Sequence, residues 1–189
     1  MVTTKDAVLD AAARVIERRE HVLPGVAEIA REAAVSRPTF YAYFDTSDDV
    51  FAAVVARLRD EVHHIQEEAD TSSVSATYKS TLVAMLDLQV RHVGLFSLLA
   101  SQSRLDERVA LMWHDIFDRP VRRHARYIAR LEERGAAEPV AAALAIAEAI
   151  NGVTTRFAQI IAEDPGRRDD LALHLVRMQH RLIGLPGPT

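Results

Sequence analysis

Apolar residues recur at three- and four-residue intervals along nearly the whole of this 189-residue chain. That period lays them along one side of an α-helix, and no stretch shows the strict alternation of a half-buried strand. Only seven Gly and seven Pro interrupt the pattern. The chain is therefore expected to be all-α. Val8, Leu9, Ala12, Val15 and Ile16 form the first stripe, opened by a Thr3/Asp6 capping box and stopped at "HVLPG". Val26, Ile29, Ala30 and Ala33 mark a short second helix. Ser36 is suited to cap a third, with Pro38 in its first turn, where no amide donor is missed. Thr46 with Asp49 opens a fourth, whose stripe is Val50, Val54, Leu58 and Val62.

The polar stretch "EEADTSSVS" at 67–75 reads as a boundary. Beyond it, helices are predicted at about 74–92, 94–102, 105–134, 138–163 and 168–184. Pro120 should kink or split the third of these, and "ERGAAEP" and "AEDPGRR" are stops.

Composition narrows the function classes. Hydrophobic residues make up 49%, enough for a sizeable core. The absence of cysteine excludes disulfides, thiolate metal sites and a cysteine nucleophile. The N-terminus lacks the pattern of a signal peptide, and no uncharged apolar run reaches the roughly 20 residues of a membrane span. A soluble, cytoplasmic protein with no membrane partner is expected. The net charge of −4 argues against a generic polyanion binder. The 21 Arg and 2 Lys favour phosphate and guanine-edge recognition, although a GC-rich genome gives the same bias. Eight His invite a metal or acid–base reading, yet His64/Glu68 and His114/Asp118 offer only two ligands each. There is no HExxH, no Gly-rich phosphate loop and no Ser/His/Asp set. No catalysis, cofactor or bound metal is expected.

The second and third helices are separated only by Ala34 to Ser36, the spacing of a helix-turn-helix. In "SRPTFYAYF", Phe40 and Phe44 lie four apart on one face with Val35 and should pack inward. Arg37, Tyr41 and Tyr43 fall off that face. They are either the rim of a small bundle or a surface in which tyrosines hold phosphates and Arg37 reads a base edge.

Residues 5–60 resemble the N-terminal domain of the TetR family of transcriptional regulators. "VAEIAREAAVSRPTFYAYF" followed by "DTSDDVF" keeps almost every framework position of that pattern. The resemblance implies a three-helix helix-turn-helix head (1–60) and a C-terminal helical ligand-binding and dimerisation bundle (61–189). It implies DNA contacts from Val26 and Ala27 at the start of the second helix. Ser36, Arg37, Pro38 and Thr39, which begin the recognition helix, would contact DNA as well, with Arg37 reading a base edge. Tyr41 and Tyr43 would hold phosphates, and Ser47 would contact DNA from the start of the fourth helix. Two departures stand out. The usual turn glycine is Ala34, and the usual Lys is Ser47, flanked by Asp45, Asp48 and Asp49. Residues 1–60 also carry 8 basic and 10 acidic side chains, a formal −2, so the expected salt slope is shallow.

The same resemblance implies a ligand-responsive repressor, with operator DNA, a small apolar effector and a second copy of the chain as partners. Apolar positions with nearby polar groups nominate Met85, Gln89, Phe96, Met112, Trp113, Phe117, Tyr127, Asn151, Thr154 and Phe157 for the effector. Leu82, Leu86 and Leu99 share that pattern, which is also the pattern of plain core. A small-residue face in "PVAAALAIAEAINGV" and a stripe of Leu171, Leu175, Met178, Leu182 and Ile183 are expected to form the dimer interface. The alternative reading is a helical protein-interaction module that has lost DNA binding.

Overall fold

The computed structural model describes residues 3–19 and 22–185, and among these every regular element is helical. The chain divides into two compact units that interleave in sequence. One comprises residues up to Glu61 together with His92–Trp113. The other comprises Val62–Arg91 and His114 onward.

In the first unit, α1 (Thr4–Arg19), α2 (Val26–Glu32) and α3 (Arg37–Tyr41) lead into α4 (Ser47–Glu67), which passes into the second unit at Val62. The two capping boxes form as predicted. Asp6 N–H donates to Thr3 Oγ1 at 3.1 Å and Thr3 N–H returns a bond to Asp6 Oδ2. Thr46 and Asp49 repeat the pattern. Each such cap is worth about 1 kcal/mol. Residues 22–25 after α1 are non-helical, while His21 of the predicted stop lies outside the described residues. Val8, Leu9, Ala12, Val15, Ile16, Ile29, Phe40, Phe44, Val50, Val54 and Leu58 are buried, as the spacing predicts.

The unit is completed by α6 (Val93–Gln102) and α7 (Glu107–Trp113), and α6 packs on α1. The approach is close at Gly94, where a Cβ would lie 2.7 Å from Glu17 Cα. The Glu17 carboxylate accepts from Gly94 N–H at 2.7 Å and from Leu95 N–H at 3.3 Å, so a side chain of α1 caps α6.

In the second unit, α5 (Val74–Arg91), α8 (Arg119–Glu133) and α10 (Arg168–Ile183) surround α9 (Ala143–Glu163). Leu86, Ile128, Ala147, Ile150, Ile161 and Leu175 lie at their common core. A bidentate pair from Arg168 to Asp87, at 2.9 and 2.5 Å, ties the start of α10 to α5.

Pro120 splits its helix as expected. A wider, π-type turn at His114–Asp118 precedes α8, with Pro120 in the first turn of that helix. The proline cannot donate to the carbonyl four residues back.

Two expectations are corrected. The helix predicted from 138 begins at Ala143. Pro139 biases Glu138 away from helix, and Val140 N–H donates to Leu182 O at the end of α10 instead of within α9. The stripe assigned to dimerisation on α10 is mostly core: Leu171, Leu175 and Ile183 are buried within the unit. Met178 and Leu173 of the same helix are exposed.

Candidate nucleic-acid interface

The turn between α2 and α3 is set by backbone hydrogen bonds. Val35 N–H donates to Ala30 O and Ala34 N–H to Arg31 O, the paired bonds of a Schellman helix end. This motif needs a left-handed residue after the cap, and Ala34 supplies it at φ 55°. The two other positive-φ residues among those described, Gly135 and Gly184, close α8 and α10 with the same pair of bonds. The alanine therefore holds a glycine conformation, at a cost of about 1–2 kcal/mol.

After the turn, Ser36 Oγ accepts from Thr39 N–H at 3.1 Å and lies 2.7 Å from Thr39 Oγ1. This cap starts α3. Phe40 is fully buried and Phe44 nearly so, their rings 6.0 Å apart. Those anchors turn the opposite side of the segment outward. Tyr41 is 53% exposed and Tyr43 46%. Arg37 and Pro38 are exposed and Thr39 is partly so. Arg37 makes no ion pair with any described residue, so its guanidinium is available to a partner. At the start of α2, Ala27 is exposed and Val26 half-buried. Ser47 is half-buried at the first position of α4.

The acids of the head are unevenly disposed. Arg14 and Arg18 hold Glu32, and Arg19 holds Glu28. The hydrogen bond from Arg18, then that from Arg14, pulls the Glu32 pKa down to about 2. Arg57 spans Asp6 and Asp10. These carboxylates are neutralised by α1 and α4 arginines, whereas Asp45, Asp48 and Asp49 stay exposed around the start of α4. Arg108 of α7 comes within 3.8 Å of Asp48, a cation that sequence spacing does not reveal.

The effector candidates divide between the units. Phe96 is buried in the first unit, where Met112 and Trp113 are half-buried. In the second, Met85, Phe117, Tyr127, Asn151 and Phe157 are half-buried, while Gln89 and Thr154 are buried. Thr154 Oγ1 donates to Ile150 O at 2.7 Å, so its hydroxyl is satisfied by its own helix. Leu82, Leu86 and Leu99 are core. Gly152 is exposed, with nothing within 4 Å of where a Cβ would stand. Its small size thus serves no contact with any of the described residues.

Sequence reasoning missed the Glu17–Gly94 tie and a buried polar group formed by Tyr78, His124, Gln179 and His180. A signal for the latter was present: Gln179 and His180 occupy core spacing on α10, between Leu175 and Ile183. The His pairs form as i,i+4 contacts, His64–Glu68 at 3.1 Å and His114–Asp118 at 3.3 Å, both exposed. Among the described residues no three His, Asp or Glu side chains gather as a metal site, and no single helix is long and apolar enough to cross a membrane.

Residues 8–54, containing this helix pair, match the family model described as bacterial regulatory proteins, tetR family. No curated protein matches the sequence. Several solved structures are similar over almost the whole chain. A TetR-like transcriptional regulator from Rhodococcus sp. RHA1 is 20% identical, with 96% of each chain covered and a TM-score of 0.77. A bacterial regulatory protein in the tetR family from Rhodococcus RHA1 is 17% identical, with 99% of this chain and 100% of that one covered and a TM-score of 0.80. The fatty acid degradation regulator FadR from Bacillus halodurans is 19% identical, with 96% and 95% covered and a TM-score of 0.69. At such identities the likeness is one of fold. Residues 8–54 are thus similar to the regulatory domain of the tetR family, and the chain as a whole has the fold of TetR-like transcriptional regulators.

Proposed function

We propose that this protein is a sequence-specific, DNA-binding transcriptional repressor that acts as a homodimer and releases its operator when a small, largely apolar effector binds. The observation that carries the reading is the two-sided α3 segment. Phe40 and Phe44 fix it from within, leaving Arg37, Tyr41 and Tyr43 outward with Thr39 beside them. A guanidinium without an internal partner suits a guanine edge, and phenols at the far end suit phosphates.

A dimer is required because two recognition helices must meet successive major-groove faces. The outward face of α9, with Ala145, Glu148, Ala149 and Gly152, is available for it. Coupling would be a population shift: effector-bound protein favours a setting of α4 that alters the spacing of the two heads. Half-buried Met85, Phe117, Tyr127 and Phe157 support an apolar ligand.

The test is fluorescence anisotropy on the DNA upstream of the protein's own gene, with a scrambled duplex and Arg37→Ala as controls, at two salt concentrations. Saturable, selective binding that is lost in the variant is expected. A second reading, a helical interaction module that no longer reads DNA, is favoured by the exposed acids around Ser47. An intact dimer without selective binding to upstream or genomic fragments would favour it over the first.

A further inference from the structure

Three helices of the second unit enclose polar atoms that the protein itself leaves unsatisfied. Tyr78 on α5 is 5% exposed, and Gln179 and His180 on α10 are each 2% exposed. The Tyr78 hydroxyl, Gln179 Oε1 and His180 Nδ1 have no hydrogen-bond partner. Such groups are rare in folded proteins unless something meets them. Tyr78 stands on α5 and Gln179 and His180 on α10, two helices that pack together.

Their surroundings define what could meet them. His124 of α8 links the group: its ring lies 5.4 Å from that of Tyr78, and its Nε2 is 3.2 Å from Gln179 Nε2. Burial alone lowers the His124 pKa to about 4, so the ring is neutral and accepts from the amide. That orientation leaves Gln179 Oε1 needing a donor. The opposite orientation would leave the amide nitrogen unmatched instead. His180 is likewise shifted down by burial, and its Nε2 is 3.4 Å from Ser75 Oγ. No carboxylate, ammonium or guanidinium belongs to the group, which disfavours an ion. The rings of Tyr78 and Tyr127, 5.3 Å apart, add an aromatic side.

We infer that this group is the polar end of a ligand site and takes the hydroxyl of a neutral aromatic alcohol. A hydroxyl donates one hydrogen bond and accepts others, which suits an acceptor-only amide oxygen, and a tyrosine hydroxyl and an imidazole nitrogen that can each donate or accept. The inference rests on reading the second unit as effector-binding, and it moves the polar recognition away from Asn151 and Thr154.

The test compares phenol with toluene, of similar shape but without the hydroxyl, by isothermal titration calorimetry on the whole protein. Wild type should bind phenol at least about tenfold more tightly, because a site built to bond a hydroxyl rejects the analogue that lacks it. Tyr78→Phe and Gln179→Met, checked for folding by circular dichroism, should each lower that preference. Equal affinities, no binding of either probe, or a preference unchanged in both variants would overturn the assignment. A wild-type protein indifferent to phenol, together with a more stable Tyr78→Phe variant, would mark a packing defect only. Operator anisotropy separates the two proposals. Phenol binding without release keeps the site and removes the repressor mechanism; release by other ligands without phenol binding does the reverse.

Discussion

Ala34 offers a direct test of the turn that presents α3. Its φ of 55° places a side chain where L-residues are strained, at about 1–2 kcal/mol for alanine. Ala34→Gly removes that strain. It also frees the unfolded chain, which costs about 0.4–1 kcal/mol in the other direction. The alanine is exposed, so deleting its methyl loses little burial. The balance is a stabilisation of about 0.8 kcal/mol, or roughly 2–3 °C in Tm for a chain of this size. Urea unfolding would read it as a raised midpoint at constant slope. Two comparators share the conformation. Gly135→Ala meets nothing within 4 Å, so it should lose about the amount that Ala34→Gly gains. At Gly184 a Cβ would stand 2.0 Å from Glu138 O, so Gly184→Ala should cost distinctly more. A midpoint for Ala34→Gly at or below wild type would refute the reasoning, because it would mean that residue 34 is not left-handed in solution.

Further outcomes follow from packing and charge. Gly94→Ala forces a methyl to 2.7 Å from Glu17 Cα and 3.0 Å from Ile16 O, so it should destabilise by about 1–3 kcal/mol in urea unfolding. Glu32, held down to about 2 by Arg18 and Arg14, contributes stability that is present above its ordinary 4.5 and lost as pH falls towards 2. Glu32→Gln should flatten that limb of a stability–pH curve. His124, shifted from 6.5 to about 4, acts in a higher window: the unfolded chain takes up a proton that the folded ring refuses, so stability falls as pH drops from 6.5 to 4. His124→Phe should remove this part of the loss. Gly152→Ala should raise the intrinsic stability of α9 by about 1 kcal/mol, yet weaken self-association in sedimentation equilibrium if this face meets a second copy.

What could be read in advance was what neighbouring residues decide. Thr3/Asp6, Ser36 and Thr46/Asp49 form their caps because donor and acceptor lie within one turn. Phe40 and Phe44 separate from Tyr41 and Tyr43 by helical period alone. The conformation of Ala34 was posed by the sequence but decided by hydrogen bonds back to α2. What escaped depends on distant chain. The late start of α9 follows from the bond between Val140 and Leu182. Leu171, Leu175 and Ile183 are apolar whether they face a core or a second subunit, and their period cannot distinguish the two. The Tyr78–His124–Gln179 group exists only because α5, α8 and α10 converge.

The interleaving of the two units governs how this protein can be cut and recombined. A chimera joined after residue 61, the natural place to exchange one N-terminal head for another, would leave His92–Trp113 on the wrong side of the junction. The transplanted head would then lose Leu95, Leu98 and Leu99, which are buried here, and Glu17 would face a foreign α6 without Gly94 to admit it. A workable exchange moves both segments together, with junctions at 61/62, 91/92 and 113/114.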